Sequence, residues 1–299
     1  MKNFRSLFCA VVLLLAVSCT SQTSISENNS GAKLQVVTTF APLYSMTVNV
    51  AGEYADVKNL VPIGSSEHTY QARPSDIALL SKADLVIKNG VNLEGFLDPL
   101  LQSSEHEGRT IIDTSSGVTL LTGLDEEETS GDPHIWLSIS NAVIQVKNIE
   151  SALSLKDPAH ADRYKFNAET YITRLNTLEA SLKNQMSSTT KRPYILFHDG
   201  FQYFEKEFDL KSSGVVEEFP GKEPSVEYMK NLYDTIEQEK VKVAFTEPQF
   251  SPKIIDQLQK RFNLVTAELD TVGTTLSKES YERLMMNNIE SFLNAFSKA

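Results

Sequence analysis

The 299-residue chain has only two cysteines, at positions 9 and 19. From residue 20 onward there are none, so the body of the protein has no disulfide and offers no thiolate to a metal. Any ion bound there must sit on nitrogen and oxygen. Long apolar runs are almost as scarce. The one clear example, LFCAVVLLLAV at 7–17, falls short of the roughly 20 residues a membrane-spanning helix needs. No helical H-E-x-x-H appears, which removes the commonest sequence sign of a zinc protease. Basic residues are outnumbered 28 to 39, for a formal net charge of −11. A surface this acidic repels phosphate backbones, which argues against a nucleic-acid partner, and it attracts cations.

Lys2 and Arg5 precede the apolar run, which ends in SCTSQ. That is the layout of a secretory leader, expected over residues 1–18. The stretch LAVSC resembles a relaxed bacterial lipobox with Ala16 where Leu is usual, which would make Cys19 the lipidated first residue of the mature chain. The alternative is plain secretion with cleavage near Ser18. Residues 19–32 then read as the lipidated cysteine and a polar, flexible tether.

The length suggests two domains. Strand-like runs at 33–40, 57–62, 83–90, 109–113, 193–198, 241–247 and 263–269 alternate with helical stretches, the pattern of an α/β fold with parallel sheets. One helix stands apart. From Asp157, expected as N-cap, and Pro158 at the first helical position, no glycine or proline interrupts the chain until Pro193. Tyr164, Ala168, Tyr171, Leu175, Leu178 and Leu182 recur at helical spacing. About 30 residues at roughly 1.5 Å each make a rod of about 45 Å. It is expected to be a connecting helix over 157–187, joining an N-terminal α/β lobe (33–156) to a C-terminal one (188–299). The alternative is a long helix inside one large domain.

The five histidines are at 68, 106, 134, 160 and 198. His68 lies on a loop leaving a strand and His198 ends one, as does Asp270. His134 sits in the loop before a helix. Open α/β sheets bind ligands beyond the carboxyl ends of their strands, so three of these four stand where such a site forms. Three imidazoles and a carboxylate suit a borderline ion such as Zn2+. The set would assemble from distant loops, two ligands from each half, in the cleft between the lobes. The competing reading is that these are ordinary loop histidines with hydrogen-bonded rings. His106 and His160, among charged and small residues, are expected to be solvated. Glu247, an acid at a strand end, either orients a ligand histidine from behind or makes a structural hydrogen bond. Asp199 is taken as structural, and Trp136 as core packing against the site wall.

The segments VVTTFAPLYSMTVNVAG, VPIGSSEHTYQARPSDIALLSKADLVIKNGVNLEGFLDPLL, DPHIWLS, FHDGFQYF, FPGKEPSV, FTEPQFSPK and ELDTVG are similar to those of the solute-binding lipoproteins of zinc and manganese ABC transporters. The resemblance runs from about residue 34 to the C-terminus. It puts the metal ligands on His68, His134, His198 and Asp270. Histidine at the third position is typical of zinc members and glutamate of manganese members, so His198 favours Zn2+ with Mn2+ as the alternative. Glu67 corresponds to an acid near the metal in some zinc members; otherwise it is an exposed loop acid. Many zinc members carry a His-rich loop before the second ligand, whereas LLTGLDEEETSGDPH is short and acidic. QARPSD, WLSI and DTVG also depart from the usual EPTPSD, WLDP and DPLG, without touching a ligand.

What the resemblance implies is a monomeric extracytoplasmic protein, lipid-anchored at the cell membrane or periplasmic, that captures the ion and delivers it to an ABC permease. It has no catalytic residue and no cofactor apart from the transported ion. Two rivals stand beside it. A zinc-dependent hydrolase would need an open coordination position and a base such as Glu247 or Glu67. A metal-stabilised surface adhesin would hold its ion for structure alone.

Overall fold

Four short parallel strands build the first half around β1 (Leu34–Thr38), whose neighbours are β2 (Ala55–Asn59) and β3 (Leu85–Lys88), with β4 (Thr110–Asp113) outermost. In this computed structural model, residues 33–122, 131–187 and 192–299 are described. The expected leader, Cys19 and the tether lie outside them. The second half repeats the plan with β5 (Tyr194–His198) between β6 (Gly214–Glu217) and β7 (Val243–Thr246), followed by β8 (Val265–Glu268). The orders β2-β1-β3-β4 and β6-β5-β7-β8 match position for position. Parallel neighbours require crossovers, and every crossover places a helix on a sheet face. Both faces of each sheet are therefore covered, which is why β5, YILFH, is buried at all five positions instead of alternating.

Outer and inner faces differ. The outer face of the first sheet packs Val37 and Val86 against Leu80 of α2 (Pro74–Leu80) and Leu97 and Leu100 of α3 (Leu97–Ser103). The second sheet likewise packs Ile195 and Ala244 on Leu232 and Ile236 of α7 (Val226–Gln238) and Ile255 and Leu258 of α8 (Lys253–Phe262). The inner faces share one core. Val36 and Leu85 from one sheet and Leu196 and Phe245 from the other belong to a single apolar cluster. It also takes in α1 (Ala41–Ala51), α4 (Ile139–Lys156), α5 (Ala161–Met186) and α9 (Ser280–Lys298).

The long helix α5 joins the lobes and buries Tyr164, Ala168, Tyr171, Leu175, Leu182 and Met186; Leu178 is only half-buried. It does not start at Pro158. Asp157 caps a separate 3-10 turn, Pro158–His160, and α5 begins after it. The Asp157 carboxylate makes no side-chain cap; it accepts from the Tyr164 hydroxyl and meets Nδ1 of His160, both at 2.7 Å. His160, expected to be solvated, keeps 43% of its side chain exposed while its ring stacks on Tyr54 with centroids 4.6 Å apart. His106 is likewise only half-exposed, 3.7 Å from Asp84.

The helix is not the sole link. The Ser45 hydroxyl and the Asn49 amide of α1 both donate to Lys278 O, at 2.9 and 2.6 Å, just before α9. Tyr281 OH of α9 donates to Trp136 O at 2.8 Å, and Trp136 Nε1 donates to Thr271 O at 2.6 Å. Trp136 is fully buried and meets Phe40 edge-on at 4.5 Å, which is core packing as the sequence suggested.

Two strands differ from expectation. The second forms over Ala55–Asn59 instead of 57–62. Strand β6, GVVE, gave no sequence signal because a glycine opens it and two acids and a Pro-Gly turn follow.

Candidate metal centre

His198 is the last residue of β5 and only 1% exposed, so its ring stands where the strand stops, over the shared core. His68 lies on the loop from β2 to α2, with its backbone N–H donating to Ser66 Oγ at 3.2 Å. His134 precedes a 3-10 turn, Ile135–Leu137, which leads into α4 through its N-cap Ser138. The turn buries Ile135, Trp136 and Leu137, and so anchors His134 from the C-terminal side.

The tripeptide Asp132-Pro133-His134 is also held from both lobes. Asn89, just past β3, donates its amide to Pro133 O at 2.9 Å. Tyr203 of α6 (Gln202–Phe208) donates its hydroxyl to Asp132 O at 3.1 Å. Behind Asn89 lies a buried polar set: Glu94 accepts from the Asn89 and Gly90 backbone and from the Thr39 hydroxyl, and Gln145 donates to Asn89 Oδ1 and Thr114 Oγ1. These hydrogen bonds fix one arrangement of the loop, although Gln145 Oε1 is buried without a partner.

The three imidazoles meet. Nε2 of His68 lies 2.9 Å from Nε2 of His134, which in turn lies 3.2 Å from Nε2 of His198. Their ligand atoms all fall within 4.8 Å of one another. The opposite ring nitrogens of two of them face carboxylates. Asp132 Oδ1 is 2.8 Å from His134 Nδ1 and accepts the His134 backbone N–H as well. Glu247 Oε1 is 2.5 Å from His198 Nδ1 and accepts its backbone N–H. A carboxylate acceptor assigns the ring proton to Nδ1, so both Nε2 atoms turn lone pairs into the cluster.

Asp270 stands differently. Its Oδ1 accepts from Gln249 Nε2 at 2.8 Å and from the backbone N–H groups of Val272 and Gly273 at 3.0 Å. Asn288 clasps its backbone from the far side. The close group comprises the three rings and does not include this carboxylate. Glu67 is not an exposed loop acid: it is 2% exposed, and its Oε1 lies 3.7 Å from His68 Nε2 without a hydrogen bond. Asp199 accepts from Gln202 at 2.7 Å.

Burial sets the protonation of these groups. It holds His68 and His134 well below the usual imidazole value, with the neighbouring rings adding to the effect. At His198 burial pulls the same way, yet the Glu247 carboxylate and more distant acids outweigh it and the ring ends up raised. Desolvation pushes Glu67 and Asp132 up to about 7 against their hydrogen bonds and nearby charge. Trp136, Phe219 and Phe250 stand 5.3 to 6.0 Å from the three rings and make the wall apolar. One oxygen on each of Glu67, Asp132 and Glu247 is buried with no hydrogen-bond partner. Three such orphaned oxygens beside two inward lone pairs call for positive charge.

Asp132 was not legible as functional from sequence; the signal that could have found it is the D-x-H spacing, which lets a carboxylate reach the ring two residues on. Among the described residues, no helix is long and apolar enough to cross a membrane.

Comparison with known proteins identifies the family. Residues 36–295 match the family model described as zinc-uptake complex component A, periplasmic. The chain is 31% identical to the high-affinity zinc uptake system protein ZnuA of Bacillus subtilis over 94% of its own length and 92% of the relative's. It is 29% identical to the manganese ABC transporter substrate-binding lipoprotein PsaA of Streptococcus pneumoniae, covering both chains fully. A solved structure of the binding protein FpvC from Pseudomonas aeruginosa with Mn2+ superposes with a TM-score of 0.80 at 30% identity, covering 89% of this chain and 99% of that one. The chain therefore belongs to the metal-binding solute-binding proteins of ABC transporters, a transport family and not an enzyme family.

Proposed function

We propose that this protein captures Zn2+ outside the cytoplasmic membrane and passes it to an ABC permease, held at the membrane by lipid on Cys19 and acting as a monomer. The observation that supports an ion at this place is the 3.2 Å approach of His134 Nε2 to His198 Nε2. In the neutral form of both rings, with each Nδ1 proton donated to a carboxylate, neither Nε2 carries a proton for the other. Two lone pairs face each other in an apolar enclosure, an arrangement that a cation between them stabilises. Around a tetrahedral ion with bonds of about 2.0–2.1 Å, neighbouring nitrogens stand about 3.4 Å apart. The 2.9 and 3.2 Å separations here are close to that, so the rings need only spread slightly.

Three imidazoles favour Zn2+ over Mn2+, which prefers more oxygen. In this reading the lobes of residues 33–156 and 188–299, joined through 157–187, each contribute two ligands: His68 and His134 from the first, His198 and Asp270 from the second. Glu247 orients His198 from behind, and Glu67 balances charge beside His68. With four protein ligands no position is left for a reactive water, which suits storage and release of the ion.

Calorimetry on the soluble domain, with Zn2+ and Mn2+ in competition, tests this. One Zn2+ per chain is expected, bound more tightly than Mn2+, with His134→Ala weakening it at least a hundredfold. Binding of neither ion would remove the whole reading; tighter Mn2+ would overturn the choice of zinc.

A further inference from the structure

Helix α6 begins four residues after His198, and its buried Tyr203, Phe204 and Phe208 seat it in the shared core. Tyr203 and Glu207 are one turn apart on it, so both side chains leave from one face. Tyr203 holds the segment that carries His134 two residues ahead of that histidine, at Asp132 O. Glu207 takes hold of the same segment on the other side. Its carboxylate accepts the Ser138 hydroxyl, the Ile139 backbone N–H at 3.1 Å and the Ser140 backbone N–H at 3.3 Å. Ser138 is the N-cap of α4 and accepts from the Asn141 N–H at 3.2 Å, which leaves its hydroxyl proton for Glu207. The first N–H groups of a helix have no partner within it, and negative charge is favoured beside them.

The link from this cap to His134 is short and stiff. Ile135, Trp136 and Leu137 are fully buried, the Leu137 N–H donates to His134 O at 3.2 Å, and the Ser138 N–H donates to Ile135 O at 3.3 Å. The carboxylate therefore grips the His134 segment of the first lobe from the helix that follows His198 in the second. We propose that Glu207 is a positioning residue for metal capture: by capping α4 from the opposite lobe, it sets His134 Nε2 at its distance from His198 Nε2. The inference rests on the reading of the three-histidine cluster as a divalent-cation site. Glu207 acts through Ser138 and the 3-10 turn and needs no contact with the ion.

The experiment measures the Zn2+ affinity of the full chain by competition calorimetry for Glu207→Ala in three backgrounds, wild type, His68→Ala and His134→Ala, with the thermal midpoint of each metal-free variant as a check of folding. The expected result is a loss of about tenfold from Glu207→Ala in the wild-type and His68→Ala backgrounds and no further loss once His134 is gone. Glu207→Gln keeps one acceptor oxygen and should lose less than the alanine variant. An equal loss in all three backgrounds would mean that Glu207 supports the fold at large, and no loss in the wild-type background would mean that it sets nothing at the site. Either result overturns the proposal and leaves the cation site intact. A wild type that binds no divalent ion would sink the site and this proposal together. Should Glu207→Ala fail to fold, the glutamine variant is carried through the same backgrounds; a loss that persists without His134, or none with it, again overturns the proposal.

Discussion

Asp132 Oδ1 lies 2.8 Å from Nδ1 of His134 and accepts the backbone N–H of the same residue, so one buried carboxylate fixes both the ring and the chain that carries it. Glu247 does the same for His198 within the second lobe. Among the described residues, no acid hydrogen-bonds the His68 ring from behind. Two of the three nitrogens are thus set in place by partners that never need to touch the ion.

Removing such a partner should weaken binding without removing a ligand. Asp132→Ala is expected to cost about 10- to 100-fold in Zn2+ affinity. Asp132→Asn should lose less, because the amide oxygen still accepts the Nδ1 proton. Competition calorimetry measures both, and an Ala variant with wild-type affinity would show that the hydrogen bond does not orient the ring.

Affinity should rise with pH through the neutral range. His68 and His134 are already neutral near pH 7, their values being held well below 6.5 mainly by burial. The protons that compete with the ion sit on His198, whose value is raised, and on Glu67 and Asp132, each pushed up to about 7. Binding a cation favours their deprotonated forms, so protons are released on binding near pH 7, where Glu67 and Asp132 titrate, and their share of the release falls as pH rises further. Titrations in buffers of different ionisation enthalpy count them. A constant affinity from pH 6 to 8 would contradict this account.

Glu67 should also make the metal-free protein sensitive to pH. Its folded value, about 7, is above the ordinary 4.5 because burial disfavours the charge. A raised value means that its contribution to stability is complete below 4.5 and is lost as pH climbs through 7. The loss is on the order of 3 kcal/mol. Glu67→Gln, neutral at every pH, should therefore melt higher than wild type at pH 8 and gain far less at pH 4.5. Equal gains at the two values would rule out a charge effect.

The fourth ligand can be assigned by comparing two carboxylates. Asp270→Ala is expected to lower Zn2+ affinity more than Glu67→Gln, because Asp270 completes the set and Glu67 supplies charge from beside it. The opposite order, read from the same calorimetry, would make Glu67 the oxygen donor.

Most of the architecture was legible from local pattern. Apolar runs such as YILFH and the stripe from Tyr164 to Leu182 each act within a few residues, where periodicity and side-chain type carry the information. β6 escaped because four residues flanked by glycine and acids have no periodicity to read. Asp157 was misplaced because a capping side chain and a tertiary acceptor look alike in sequence; Tyr164 and His160 decided between them.

The residue types alone determined the chemistry on offer: no sulfur ligand after position 19, three histidines at loop positions and an excess of acids. Only the tertiary structure decided that His68, His134 and His198, each more than sixty residues from the next, bring their Nε2 atoms together, and that Glu67 is buried. The physical reason is that hydrogen bonds within a turn are written in neighbouring residues. The separation of distant side chains is set instead by how two sheets pack on one core, and that packing depends on the whole chain at once.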